Sequence, residues 1–129
     1  MVLPGIQTLL GFQLIAVFQP TFARDVDAID RGLHVGSMIA IAGAIAMVMM
    51  PAAFQRLAEP ALVTPRFLKL GSTVVTLGMA ALVIGLGLDV YIVAHVALQD
   101  GAIAIVLGAV VGLVTLIAWF AIPLLARRS

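Results

Sequence analysis

Polar residues in this chain gather in short clusters, around Gln19–Arg31, Gln55–Lys69, Gln99–Asp100 and the last three positions. Between them lie apolar runs over about 2–19, 32–54, 67–97 and 101–125, each near the roughly 20 residues that a helix needs to cross a membrane. The punctuation between runs fits helix ends. Pro4 suits a first helical turn, Thr64-Pro65 reads as an N-cap followed by a first helical residue, and Asp100 is placed to cap the fourth helix. Pro20 and Pro123 close the first and last runs. The pattern predicts an all-α chain, with four transmembrane helices in one antiparallel bundle forming a single domain over residues 1–129.

Composition supports a lipid environment. Hydrophobic residues make up 64% and charged residues 10%, against about 45–50% and 25% in soluble domains. Mean hydropathy is +1.24. A net charge of +1 offers no basic footprint for nucleic acid, and the absence of cysteine excludes disulfides and thiolate metal sites. No nucleotide loop, zinc spacing or nucleophile elbow is present, so no enzyme is expected. The first run lacks a basic leader and a small-x-small cleavage site, and reads as a mature span. Arg56, Arg66, Lys69, Arg127 and Arg128 lie on one side of the membrane, whereas Arg24 and Arg31 lie on the other with Asp25, Asp27, Asp30 and Asp100. Basic residues favour the cytoplasmic side, which predicts cytoplasmic termini in a multi-pass protein of the bacterial inner (plasma) membrane.

Small residues recur at helical spacing and mark where helices approach closely. The second span has Gly32, Gly36, Ala40 and Ala44; the third has Gly71, Gly78, Ala81 and Gly85; the fourth has Ala104, Gly108 and Gly112. Pro51 removes the usual partner of the Met47 carbonyl, which predicts a bend or an early end to the second helix. The third helix is expected from Thr64 to about Gln99, with Arg66 and Lys69 snorkelling at the cytoplasmic surface.

One acid interrupts the third run. Asp89 lies about ten residues, roughly 15 Å, from the outer helix end and therefore near mid-membrane. An acid there costs about 2.5–3.5 kcal/mol on insertion scales and faces the bundle or a water cavity. It shares a face with Gly85, Ala81 and Gly78, and no lysine or arginine lies within the spans to pair with it. Desolvation without a cation favours the neutral acid, which can donate a hydrogen bond. Gln13 is the expected partner by depth, with Ser37 shallower. His34 and His95 both fall near the outer face, and two histidines at matched depth suit axial ligation of a b-type haem. Their helical phases instead suggest interfacial positions beside Tyr91. Trp119 reads as a cytoplasmic-side belt anchor.

The chain resembles a family of small bacterial four-helix membrane proteins known only as a domain of unknown function. The resemblance rests on LPGIQTLLGFQLIAVF at the start, MMPAAFQRL at the end of the second span and WFAIPLL near the C-terminus. The corresponding pattern residues are Pro4, Gly5, Ile6 and Gln7; Pro51, Ala53, Phe54 and Arg56; and Trp119, Phe120, Pro123 and Leu124. Similar proteins often carry Tyr-His where this chain has Phe54-Gln55, and usually open with a charged cytoplasmic segment, whereas Met1 stands against the first span. The resemblance implies an architecture and no catalytic residue.

Three functional expectations follow. The first is a non-catalytic accessory or scaffolding subunit without a cofactor, partnered by the bilayer and by other membrane subunits or further copies of itself. The second is a small homo-oligomeric proton- or ion-coupled transporter or channel using Asp89, a reading by fold-level analogy. The third is a haem protein using His34 and His95. The orientation is directly testable. Cysteine replacing Ser129 should be shielded from an impermeant thiol reagent in intact cells, and cysteine replacing Asp27 should react; the reverse pattern would reject cytoplasmic termini.

Overall fold

A computed structural model describes residues 2–58 and 63–128, and 91% of it is helix with no strands. The elements are α1 (Val2–Val17), α2 (Pro20–Asp25), α3 (Ala28–Leu57), α4 (Pro65–Leu98) and α5 (Gly101–Leu116), followed by a π-helical turn (Ile117–Ala121) and α6 (Ile122–Ala126). Three segments, Ala28–Leu57, Pro65–Leu98 and Gly101–Ala126, are long and apolar enough to cross a membrane. The fourth, α1, has 16 residues and reaches only about 24 Å.

Local chemistry sets these bounds. The last turn of α1 tightens, with Phe18 N donating to Ile15 O and Gln19 N to Ala16 O, before Pro20 opens α2. The first span therefore stops short of residue 19, and the second starts at Ala28 rather than 32, behind Asp27 in extended conformation. Thr64 caps α4, its hydroxyl accepting from Phe67 N at 3.2 Å. At the other end Gln99 adopts a left-handed conformation (φ 53°), and Asp100 Oδ1 accepts from Ala102 N and Ile103 N to start α5. A two-residue turn thus reverses the chain.

Neither proline of the long helices ends its helix. α3 continues through Pro51 to Leu57, because the ring sits against Gly71 of α4, where a methyl group would lie 3.6 Å from Pro51 Cβ. Ahead of Pro123, which cannot donate to the carbonyl four residues back, the backbone widens into the π turn and then resumes.

Successive contacts pair Gly71 with Pro51, Gly78 with Met47 and Ala44, and Gly85 with Ile41, so α3 and α4 run antiparallel along the predicted glycine stripe of α4. A methyl group on Gly78 would lie 3.3 Å from Met47 Cβ, and one on Gly85 only 2.8 Å from Ile41 Cγ1. α5 packs on the opposite flank of α4, where a methyl on Gly108 would sit 2.9 Å from the Gly87 carbonyl oxygen. Gly87, not singled out by the spacing, is half of this contact.

The stripe on α3 is different. Gly32 and Gly36 are exposed, and a methyl group on either would meet nothing within 4 Å. Gly112 likewise has open space for a methyl, though its Cα borders Gly87. The buried face of α3 is Asp30, His34, Ser37, Ile41 and Ala44. It turns inward because its polar groups find partners on α1 and α4, whereas small residues left against lipid cost little. Beneath the polar part, Ile6, Ile41, Ala44 and Leu82 form the apolar core. Trp119 packs half-buried against this core and is not simply an anchor at the membrane surface.

These contacts rank the glycines. Gly108→Ala should destabilise by about 1–3 kcal/mol, because the opposing group is backbone and cannot rotate away. Gly85→Ala, opposite a movable isoleucine side chain, should cost less, and Gly36→Ala should be neutral in the single chain. Unfolding titrations in detergent check the order; three equal effects would contradict it.

Candidate functional site

Four polar side chains among the described residues are buried, and all lie on one seam where α1, α3 and α4 meet: Gln13, Asp30, His34 and Ser37. Asp89 faces the same seam from α4 and is half-buried. Spacing explains the convergence. Asp30, His34 and Ser37 are three or four apart and share one face of α3, while the close approach at Gly85 brings α4 near enough for Asp89 to reach Ser37.

At the centre, Gln13 Nε2 lies 2.7 Å from Asp89 Oδ1, 2.8 Å from Oδ2 and 2.8 Å from Ser37 Oγ, and its two protons are shared among these three acceptors. Ser37 Oγ lies 2.6 Å from Asp89 Oδ1 and 3.1 Å from the Gly85 carbonyl oxygen, either of which can take its one proton. Three helices are thus tied at one carboxylate. Depth points to Gln13 as the partner of Asp89, and the structure places the two in direct contact. It adds Ser37 as a second partner, because Ser37 is drawn in by the α3 face that the small-residue stripe concealed.

Gln13 Oε1 is buried and has no hydrogen-bond partner. A primary amide offers two donors on one side and an acceptor on the other. With Nε2 toward Asp89 the cluster suits an ionised carboxylate, which only accepts. With a proton on Oδ1, the same positions let Asp89 donate to Ser37 Oγ while the Ser37 hydroxyl donates to the Gly85 carbonyl oxygen. The same three side chains therefore accommodate either protonation state without moving a helix.

The seam continues toward the Asp27–Asp100 end of the bundle. His34 Nε2 is 3.1 Å from the Gln13 carbonyl oxygen. Further along, His95 Nδ1 lies 2.5 Å from Asp30 Oδ2, the Tyr91 phenol interacts with the same carboxylate, and the Tyr91 and His95 rings are 5.6 Å apart. The sequence singled out His34 only as a candidate haem ligand and Asp30 only as an outer-side acid, because each sits near a predicted helix end, where polar residues are unremarkable. Their spacing with Ser37 was the available signal.

The two histidines are held by different partners, Gln13 for His34 and Asp30 for His95. Asp27, Asp30 and His95 offer ligand atoms within 4.8 Å of one another, a donor set of the kind that binds zinc. The Asp30–His95 pair accounts for two of these groups without an ion.

Ser37→Ala and Gln13→Leu should each destabilise by about 1–2 kcal/mol, in the range of hydrogen bonds between membrane helices. Because both act on one carboxylate, the double variant should be non-additive by about 0.5 kcal/mol or more. Strict additivity in detergent unfolding would show that they do not form one cluster.

No curated protein and no solved structure matches this chain. A family model described as "Family of unknown function (DUF6328)" matches residues 1–123, which include every residue of the seam. The chain belongs to that family.

Proposed function

We propose that this chain is a multi-pass inner-membrane protein with cytoplasmic termini, in which Asp89 takes up and releases a proton or cation as the coupling site of a small homo-oligomeric transporter. It performs no covalent chemistry and needs no cofactor. The observation that carries this reading is the Gln13–Ser37–Asp89 cluster, which has hydrogen-bonding arrangements for both protonation states of a membrane-embedded acid. Here His34 and the Asp30–His95 pair extend titratable groups from Asp89 toward one end of the bundle, where the neighbouring Asp27 is exposed. Intramembrane ionisable residues with such company mark proton and ion paths in other membrane proteins.

The accessory-subunit reading is second, and a specific observation favours it. The small-residue face of α3 at Gly32 and Gly36 is open, whereas the glycines Gly78, Gly85 and Gly108 meet a neighbouring helix. Such a face fits another transmembrane helix, from a second copy or from a different subunit.

The two readings separate in proteoliposomes. Asp89→Asn keeps a hydrogen-bonding amide and should fold like the wild type, yet abolish a pH-gradient-dependent ion flux. Wild-type vesicles without such a flux, or Asp89→Asn vesicles that retain it in full, would reject the coupling role and leave the accessory reading.

A further inference from the structure

A groove between α1 and α4 leads to the same acid. It consists of two cavities of about 430 and 270 Å³ that share Ala16, His34, Ile92 and Val93 in their walls. The larger opens beside Gln19 and Asp25 at the Asp-rich end, and the smaller ends at Gln13 and Asp89. Ligand pockets usually fall in the range of about 300–1,000 Å³, with apolar walls and a few convergent polar groups. This groove has that make-up.

Among the described lining residues the ionisable groups are Asp25, Asp89 and His34, with no lysine or arginine. The cavity at the other end of the bundle is lined by Arg66 and Lys69 and has the opposite character. Asp89 retains capacity for a ligand. Oδ1 accepts from Gln13 and Ser37, but Oδ2 accepts only from Gln13, and a carboxylate oxygen can take about two bonds.

We infer that the α1–α4 groove binds an amphiphilic organic monocation, an alkylammonium, with its charged head at Asp89 and its apolar body along Ile92 and Val93. The inference rests on the coupling role of Asp89 and names its substrate class. The chemistry balances as an exchange: the ammonium pairs with the Asp89 carboxylate, and a proton previously held there leaves to bulk water. The groups around Asp89 are Gln13 from α1, Ser37 and His34 from α3, and Gly85 beside it on α4. None is a lysine or arginine that would compete with the ligand. An apolar wall with an acid at its end selects charge and hydrophobicity together: a neutral amphiphile lacks the ion pair, and a small hydrated cation gains nothing from Ile92 and Val93.

The probe is octylammonium, added to the full chain in lipid nanodiscs in weak buffer, with octanol as the neutral control and empty nanodiscs as background. Saturable octylammonium binding with proton release is expected, and octanol should bind at least about tenfold more weakly. Asp89→Asn should lose the proton release. Val93→Trp, at an exposed wall position, fills the groove and should weaken octylammonium binding at least about tenfold while leaving detergent unfolding unchanged. Equal binding of octanol and octylammonium, or wild-type affinity in Val93→Trp, would overturn the cation site. If octylammonium fails to bind while Asp89-dependent flux persists, only the substrate class is wrong; loss of the Asp89 dependence itself would reject both.

Discussion

The organisation of this protein follows from the need to satisfy one carboxylate in hydrocarbon. An acid near mid-membrane costs about 2.5–3.5 kcal/mol by insertion scales, and no lysine or arginine lies within reach to neutralise it. The solution is contributed by three helices: an amide from α1, a hydroxyl from α3 and the acid from α4. That requirement fixes which face of α3 turns inward. It also draws α1, which is short and otherwise mainly supplies Ile6 to the core, into register with the two long helices.

Close packing makes the arrangement possible. Asp89 and Ser37 have short side chains, and they meet because Gly85 lets the α3 and α4 backbones approach to where a methyl group would collide with Ile41. Below this level the seam is aliphatic, from Ile41 and Leu82 to Ala44 and Ile6. Above it the seam is polar, with His34 and the Asp30–His95 pair. The bundle is therefore asymmetric along its axis: titratable groups occupy one half and an apolar core the other.

Much of this was legible in the sequence because the signals are local. Thr64-Pro65 and Asp100 mark helix starts by their capping chemistry, and both cap as expected. Gly78, Gly85 and Gly108 lie where another helix passes, and residue depth alone pairs Gln13 with Asp89. The orientation of α3 was not legible. Its two faces, Gly32–Gly36–Ala40–Ala44 and Asp30–His34–Ser37–Ile41–Ala44, both have helical spacing and even share Ala44. Choosing between them depends on where the polar groups of α1 and α4 fall, which is a tertiary fact. The packing of Trp119 was hidden similarly, because the core it packs against is built from Ile6, Ile41, Ala44 and Leu82, all distant from it in the chain.

The central claim is that Asp89 is a reversible proton site poised within a cluster that serves both of its states. Infrared difference spectroscopy of the protein in lipid, recorded on stepping the pH, tests it most directly. A protonated-carboxyl band should appear on acidification, vanish in Asp89→Asn, and shift in Gln13→Leu, where the amide that hydrogen-bonds the acid is gone. A spectrum with no carboxyl band assignable to Asp89 changing across the pH range would contradict the account, and would make the cluster a fixed tie between three helices and nothing more.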